Sequence, residues 1–107
     1  MNAQSALGQY HLASDMTQAM LSAAQNGDWE GLVNIEIERR SVLSPLTNLE
    51  IDYRIAGLEE EKNSCIRNIL ELDQQIRALT EAWMGEMRET LASVQSQRKI
   101  AQAYGSV

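Results

Sequence analysis

The chain has 107 residues, is 44% hydrophobic and 22% charged, and carries a formal charge of -6 and one cysteine, which allows a single domain with a modest core and excludes an internal disulfide. Its nine Lys and Arg residues are scattered along a chain of pI near 4.7, so the clustered basic surface that nucleic-acid binding needs is missing. No apolar run is long enough to cross a membrane, and Met1 to Leu7 lacks the basic-then-apolar order of a secretory leader, so the sequence reads as a cytoplasmic protein with neither nucleic acid nor membrane as partner.

From about Gln4 to Gln25 the residues are helix formers, with Leu7, Tyr10, Ala13, Met16, Met20 and Ala24 spaced by three or four along one face, which predicts an amphipathic helix. Asn26 and Gly27 end it, because both tolerate the left-handed conformation of a C-terminal cap. Asp28 is placed to cap the next helix with its carboxylate. So short a turn sets the two helices antiparallel and side by side.

The second helix is expected over Trp29 to Leu43, with Trp29, Leu32, Val33, Ile35, Ile37, Val42 and Leu43 spread around more than one face. Glu36, Arg39 and Arg40 interrupt its apolar stripe. At spacings of three and four, Glu36 can pair with either arginine, as a surface ion pair or as a polar element that sets how this helix meets its neighbours. Pro45 then breaks the pattern, with Ser44 as a potential cap and a short helical turn over Pro45 to Leu49. Residues 50–57 alternate Ile51, Tyr53 and Ile55 with Asp52, Arg54 and Ala56. That is the period of a strand, but no second strand exists to pair with it, and the segment reads as a packed connector.

Glu59 to Ala92 is the longest element. It contains no proline, opens with Glu59, Glu60 and Glu61 at the positive end of the helix dipole, and places Cys65, Ile69, Leu72, Ile76, Leu79 and Trp83 in steps alternating between four and three. This is a heptad seam, the spacing that keeps one stripe of a helix turned toward a partner. Beyond Trp83 the seam runs Met87, Leu91, Val94, with the extra residues of a stutter. A helix of about 50 Å follows at roughly 1.5 Å per residue. The tail, Val94 to Tyr104, is again helix-compatible, with Ile100, Ala101 and Tyr104 on one side and Gly105 ending it. The expected fold is all-α, an antiparallel helical bundle with one long central helix and a C-terminal helical tail, forming one domain over residues 1–107.

Residues for catalysis are missing. His11 is the only histidine and reads as a partly exposed helix residue; with Cys65 it cannot build a zinc site. Cys65, on the seam, reads as a small buried residue, with an inter-chain contact as the other reading. There is no phosphate-binding glycine loop, no nucleophile with a base, and no di-iron helix motif. No cofactor is implied, and function should reside in a binding surface.

Helix lengths suggest where. Two helices of about 22 and 15 residues span roughly 33 and 23 Å, too short to cover one of about 50 Å. They should cover about Glu59 to Leu79, leaving Trp83, Met84, Met87, Leu91 and Val94 as an apolar overhang of the kind that marks interaction sites. The chain's own tail, a second copy in a weak dimer, or another protein could cover it. Methionines there add adaptability.

Several stretches together resemble a known family: Tyr10, the Met20-Leu21 pair, Gly27-Asp28-Trp29-Glu30 followed by Leu32, the Glu36 to Arg39 step, Ile69-Leu70-Glu71-Leu72-Asp73 with Ile76 and Leu79, and Ala103-Tyr104-Gly105. Their order and spacing, from about Tyr10 to Gly105, is similar to FliT, the flagellar type III export chaperones. The resemblance implies a small helical cytoplasmic protein that binds the C-terminal region of the filament cap protein FliD, prevents its premature assembly and helps deliver it to the export ATPase and export gate. In some members it also implies binding of the FlhDC activator and restraint of flagellar transcription. It further implies a C-terminal helix, about Ser93 to Tyr104 here, that folds back over the binding surface. The candidate partner-binding residues are Ile76, Leu79, Trp83, Met87, Leu91 and Val94, with Ile100 and Tyr104 in the self-masking tail. The competing reading is a homodimeric coiled-coil adaptor without an export client.

Overall fold

Helix α1 (Ala3–Gln25) begins at Asn2, whose backbone is extended and whose Oδ1 accepts the Ser5 N–H at 2.8 Å. It ends as the sequence predicts. Gly27 takes φ +69°, and the N–H groups of Gly27 and Asp28 donate to the carbonyls of Ala24 (3.2 Å) and Ala23 (2.8 Å), the two bonds of a Schellman cap. Asn26 itself stays at negative φ. Helix α2 (Trp29–Leu43) follows at once, with Asp28 Oδ1 accepting the Gly31 N–H at 3.0 Å. Gly31 leaves room for that cap, since a Cβ there would run into the Asp28 carboxylate. Asp28→Ala is expected to cost about 1 kcal/mol, a fall of several degrees in a thermal melt. An unchanged melt would assign the α1–α2 turn to the Schellman bonds alone.

A computed structural model describes residues 1–103, and among them there is no β-strand. The chain runs on from α2 into a 3-10 turn, Ser44–Asn48. Ser44 is not a cap as expected: its own backbone is helical (φ -54°, ψ -45°) and its N–H bonds to the Arg40 carbonyl. Pro45, lacking an N–H, sits at the start of the 3-10 turn where no donor is needed. Leu46 is buried beneath it.

The connector takes a shape its alternation does not predict. Asp52 Oδ1 accepts from the N–H groups of Arg54 (3.0 Å) and Ile55 (3.3 Å), and Leu58 N–H closes on the Tyr53 carbonyl at 2.8 Å across Gly57, at φ +72°. An aspartate that bonds its own backbone two residues on favours a turn over extension. Tyr53 packs edge-on against Tyr10, with ring centroids 6.3 Å apart, and lies under the Lys62 ammonium at 4.7 Å. Ile55, by contrast, is 87% exposed, so the connector is packed at Tyr53 and not throughout.

Helix α3 (Glu59–Ala103) has 45 residues, about 67 Å at 1.5 Å per residue. It continues through Ser93 to Ala103 without a break, so the described part of the tail adds to α3 and forms no separate element. Residues 1–77 make one compact unit and the residues from Ala78 onward a second. Within the first, side-chain bonds set the helix directions. Thr17 of α1 meets Arg39 of α2, while His11 and Ser14 of α1 meet Glu61 and Asn68 of α3 in the same ascending order. α1 and α3 are therefore parallel and α2 antiparallel to both. The core is Ala6, Leu7, Ala13, Met20, Leu21 and Ala24 from α1, Leu46, and Cys65, Ile69, Leu72 and Ile76 from α3. α2 contributes no buried residue.

Candidate partner-binding face

Burial along the α3 seam stops at Ile76. Cys65, Ile69, Leu72 and Ile76, in steps of four, three and four, are all buried in the unit of residues 1–77. Ile76 is therefore a core residue of that unit, not a surface one. The other five candidates lie in the second unit. Leu79 and Trp83 are half-buried, whereas Met87 (44%), Leu91 (56%) and Val94 (39%) are exposed, as is Met84 (47%). Met84, Met87, Leu91 and Val94 follow one another in steps of three, four and three, so they share one line on the helix. Full burial of a large apolar side chain is worth about 1.5 to 3 kcal/mol, so an exposed line of four is a candidate surface for association. Glu81, Glu86 and Glu89 stand on the same stretch with Arg88 among them, a net negative setting. Ile100 is exposed farther along α3; Tyr104 lies outside the described residues.

The polar residues of α2 divide into two kinds. Arg40 holds Glu36 through Nη2 at 2.6 and 2.8 Å in an exposed pair. Arg39 does something else: its Nη1 donates to Thr17 Oγ1 at 2.9 Å and to Asp73 Oδ1 at 2.8 Å. Thr17, fully buried, in turn donates to the Ala13 carbonyl at 2.7 Å. One guanidinium therefore joins α1, α2 and α3, and among the described residues no buried side-chain polar atom lacks a partner. Both readings of the Glu36, Arg39 and Arg40 group hold, one for each arginine. Sequence reasoning missed Thr17 and Asp73 as partners; the available signal was an aspartate directly beside seam residue Leu72.

Cys65 is buried as expected, with Sγ 3.4 Å from His11 Nδ1. Burial pushes its thiol pKa up, and the Glu61 and Asp15 carboxylates add to the shift. The thiol is thus kept protonated, the opposite of an activated nucleophile. His11 is half exposed, its Nε2 3.4 Å from Glu61 Oε2. Among the described residues no group of three or more His, Cys, Asp or Glu side chains is arranged to hold a metal ion, and no helix is long and apolar enough to cross a membrane.

Comparison with known proteins identifies the family. The chain is 24% identical over 99 residues to the flagellar protein FliT of Enterobacter sp. (strain 638), covering 92% of this chain and 82% of that protein. The flagellar protein FliT of Cronobacter sakazakii is 20% identical over 103 residues, 96% of this chain and 86% of its own. That of Photorhabdus laumondii is 21% identical over 105 residues, 97% and 84% respectively. No solved structure matches the chain. The family described as Flagellar protein FliT matches residues 7–106, which takes in α2, α3 with its whole exposed line, and all but the first four residues of α1, and the chain belongs to the FliT family of flagellar proteins.

Proposed function

We propose that this protein is a cytoplasmic, non-enzymatic export chaperone of the flagellar type III system that holds the C-terminal region of the filament cap protein FliD against the apolar line of α3. The observation that carries this reading is the exposed run of Met84, Met87, Leu91 and Val94 in a chain of a flagellar family. A client helix laid along it would gain affinity from a few apolar anchors and specificity from the acidic residues beside them. Such a cover keeps the client's own assembly surface occupied until export. Delivery to the export ATPase and gate, and restraint of the FlhDC activator, extend the same reading.

The tail is the proposal's second part. In the conformation described, α3 is unbroken and leaves the line uncovered. A masked form would open the helix near Ser93 and lay Ile100 and Tyr104 back on it; eleven to twelve residues are marginal as an isolated helix, so docking would decide their structure. Docking worth about 1 kcal/mol would make full-length protein bind several-fold more weakly than a chain ending at Ala92. Calorimetry with one FliD C-terminal peptide measures both. Equal or weaker binding by the folded truncation removes the masking step, and absence of binding by either chain sinks the chaperone reading in favour of a self-pairing adaptor.

A further inference from the structure

Packing along α3 runs out at a glycine. Ile76 is its last buried residue, Leu79, Thr80 and Trp83 are half-buried, and from Glu86 to Ala103 every residue is exposed. Gly85, the one glycine among the 45 residues of α3, stands at that boundary. A Cβ added there would meet nothing, so no contact in the conformation described asks for a glycine, which weakens a helix about fivefold at its position relative to alanine. Gly8 of α1 also has open space, but half-buried Tyr10 and buried Ala13 follow it and hold that helix in place. No such support follows Gly85. Two further features loosen the helix at the same point. Leu79, Trp83, Met87 and Leu91 run in steps of four alone, the stutter of the seam, and Thr90 Oγ1 donates to the Glu86 carbonyl at 2.9 Å, a return bond that often bends helices.

We propose that α3 is jointed at Gly85, the part from Glu86 to Ala103 swinging as one helical arm of about 27 Å between a straight form and a bent one. In the straight form Met84 stands in line with Met87, Leu91 and Val94; a bend at Gly85 parts Met84 from the other three. The joint is distinct from the opening near Ser93, which would leave Met84, Met87 and Leu91 on one unbroken helix. Its consequence for binding rests on the client reading above: a client that needs the whole line selects the straight form, and its apparent affinity is reduced by the fraction of chains that are bent.

Spin labels on the full chain measure the bend. With Cys65→Ala in the background, labels at Gln75→Cys and Gln97→Cys, both exposed positions, lie about 33 Å apart on a straight helix. The expected result is a distribution spread to shorter distances, which Gly85→Ala narrows to a single one near that value and Gly8→Ala leaves unchanged. A second pair, Glu89→Cys with Gln102→Cys, lies within the arm and should keep one distance of about 20 Å. The joint is overturned by one sharp distance for the first pair in the parent chain, by a spread that Gly85→Ala leaves in place, or by an equal spread within the arm, which assigns the motion to fraying. Gly85→Ala should also tighten binding of the FliD C-terminal peptide, by up to about fivefold. Unchanged affinity with narrowed distances overturns the coupling of the joint to the line. Absence of binding by either chain fails the client reading, while the distances still decide the joint.

Discussion

Arg39→Ala is expected to lower the stability of residues 1–77 by about 2 to 3 kcal/mol, a fall of about 10 to 20 °C in melting temperature for a unit of this size. The substitution removes the bonds to Thr17 and Asp73 together, and strands the Asp73 carboxylate at the meeting of three helices. A fully buried pair broken this way costs about 3 to 5 kcal/mol. The lower figure reflects the Asp73 side chain, 30% exposed, which water can partly solvate. Two controls separate the mechanism from a general loss of charge. Arg40→Ala, in the exposed pair, should change stability by only a few tenths of a kcal/mol. Replacing both partners, Arg39→Met with Asp73→Leu, should recover much of the loss, since no charge is then left unpaired. A drop for Arg39→Ala no larger than that for Arg40→Ala would refute the inter-helix role.

The second large effect concerns binding. Trp83→Ala should weaken the FliD C-terminal peptide by about 2 kcal/mol, roughly thirtyfold, because large aromatics at the edge of an exposed apolar line are frequent anchors. Its effect on the melting temperature should be small, since Trp83 lies past Ile76, the last buried residue of the seam. Ile76→Ala supplies the contrast: a core truncation expected to cost about 2 to 5 kcal/mol of stability. A large fall in melting temperature for Trp83→Ala with unchanged affinity would make Trp83 a packing residue and move the client face toward Met87 and Leu91.

The local grammar of the chain determined its helices. Asn26-Gly27-Asp28 places a turn because a left-handed glycine and a capping carboxylate are properties of those residues wherever they occur. The steps of four and three from Cys65 to Ile76 place a buried stripe on α3 for the same reason: the helix period is local. Helix lengths then told which part of α3 the hairpin could cover.

What only the tertiary structure decided are the matters that depend on residues far apart in the chain. Residues 50–57 have the alternation of a strand, but Asp52 competes for the backbone and Tyr53 finds Tyr10, some forty residues earlier, so the segment turns and leaves Ile55 in water. Ser93 to Ala103 could dock or extend, and the pattern of apolar residues is the same for both; the continuous α3 is one of those outcomes. Arg39 and Arg40 are adjacent and chemically identical. One caps a surface glutamate and the other joins three helices, because only Arg39 faces Thr17 and Asp73, and neither partner can be read from the spacing within α2. Period and capping are encoded within a few residues, whereas the meaning of a polar side chain is set by what the fold brings opposite it.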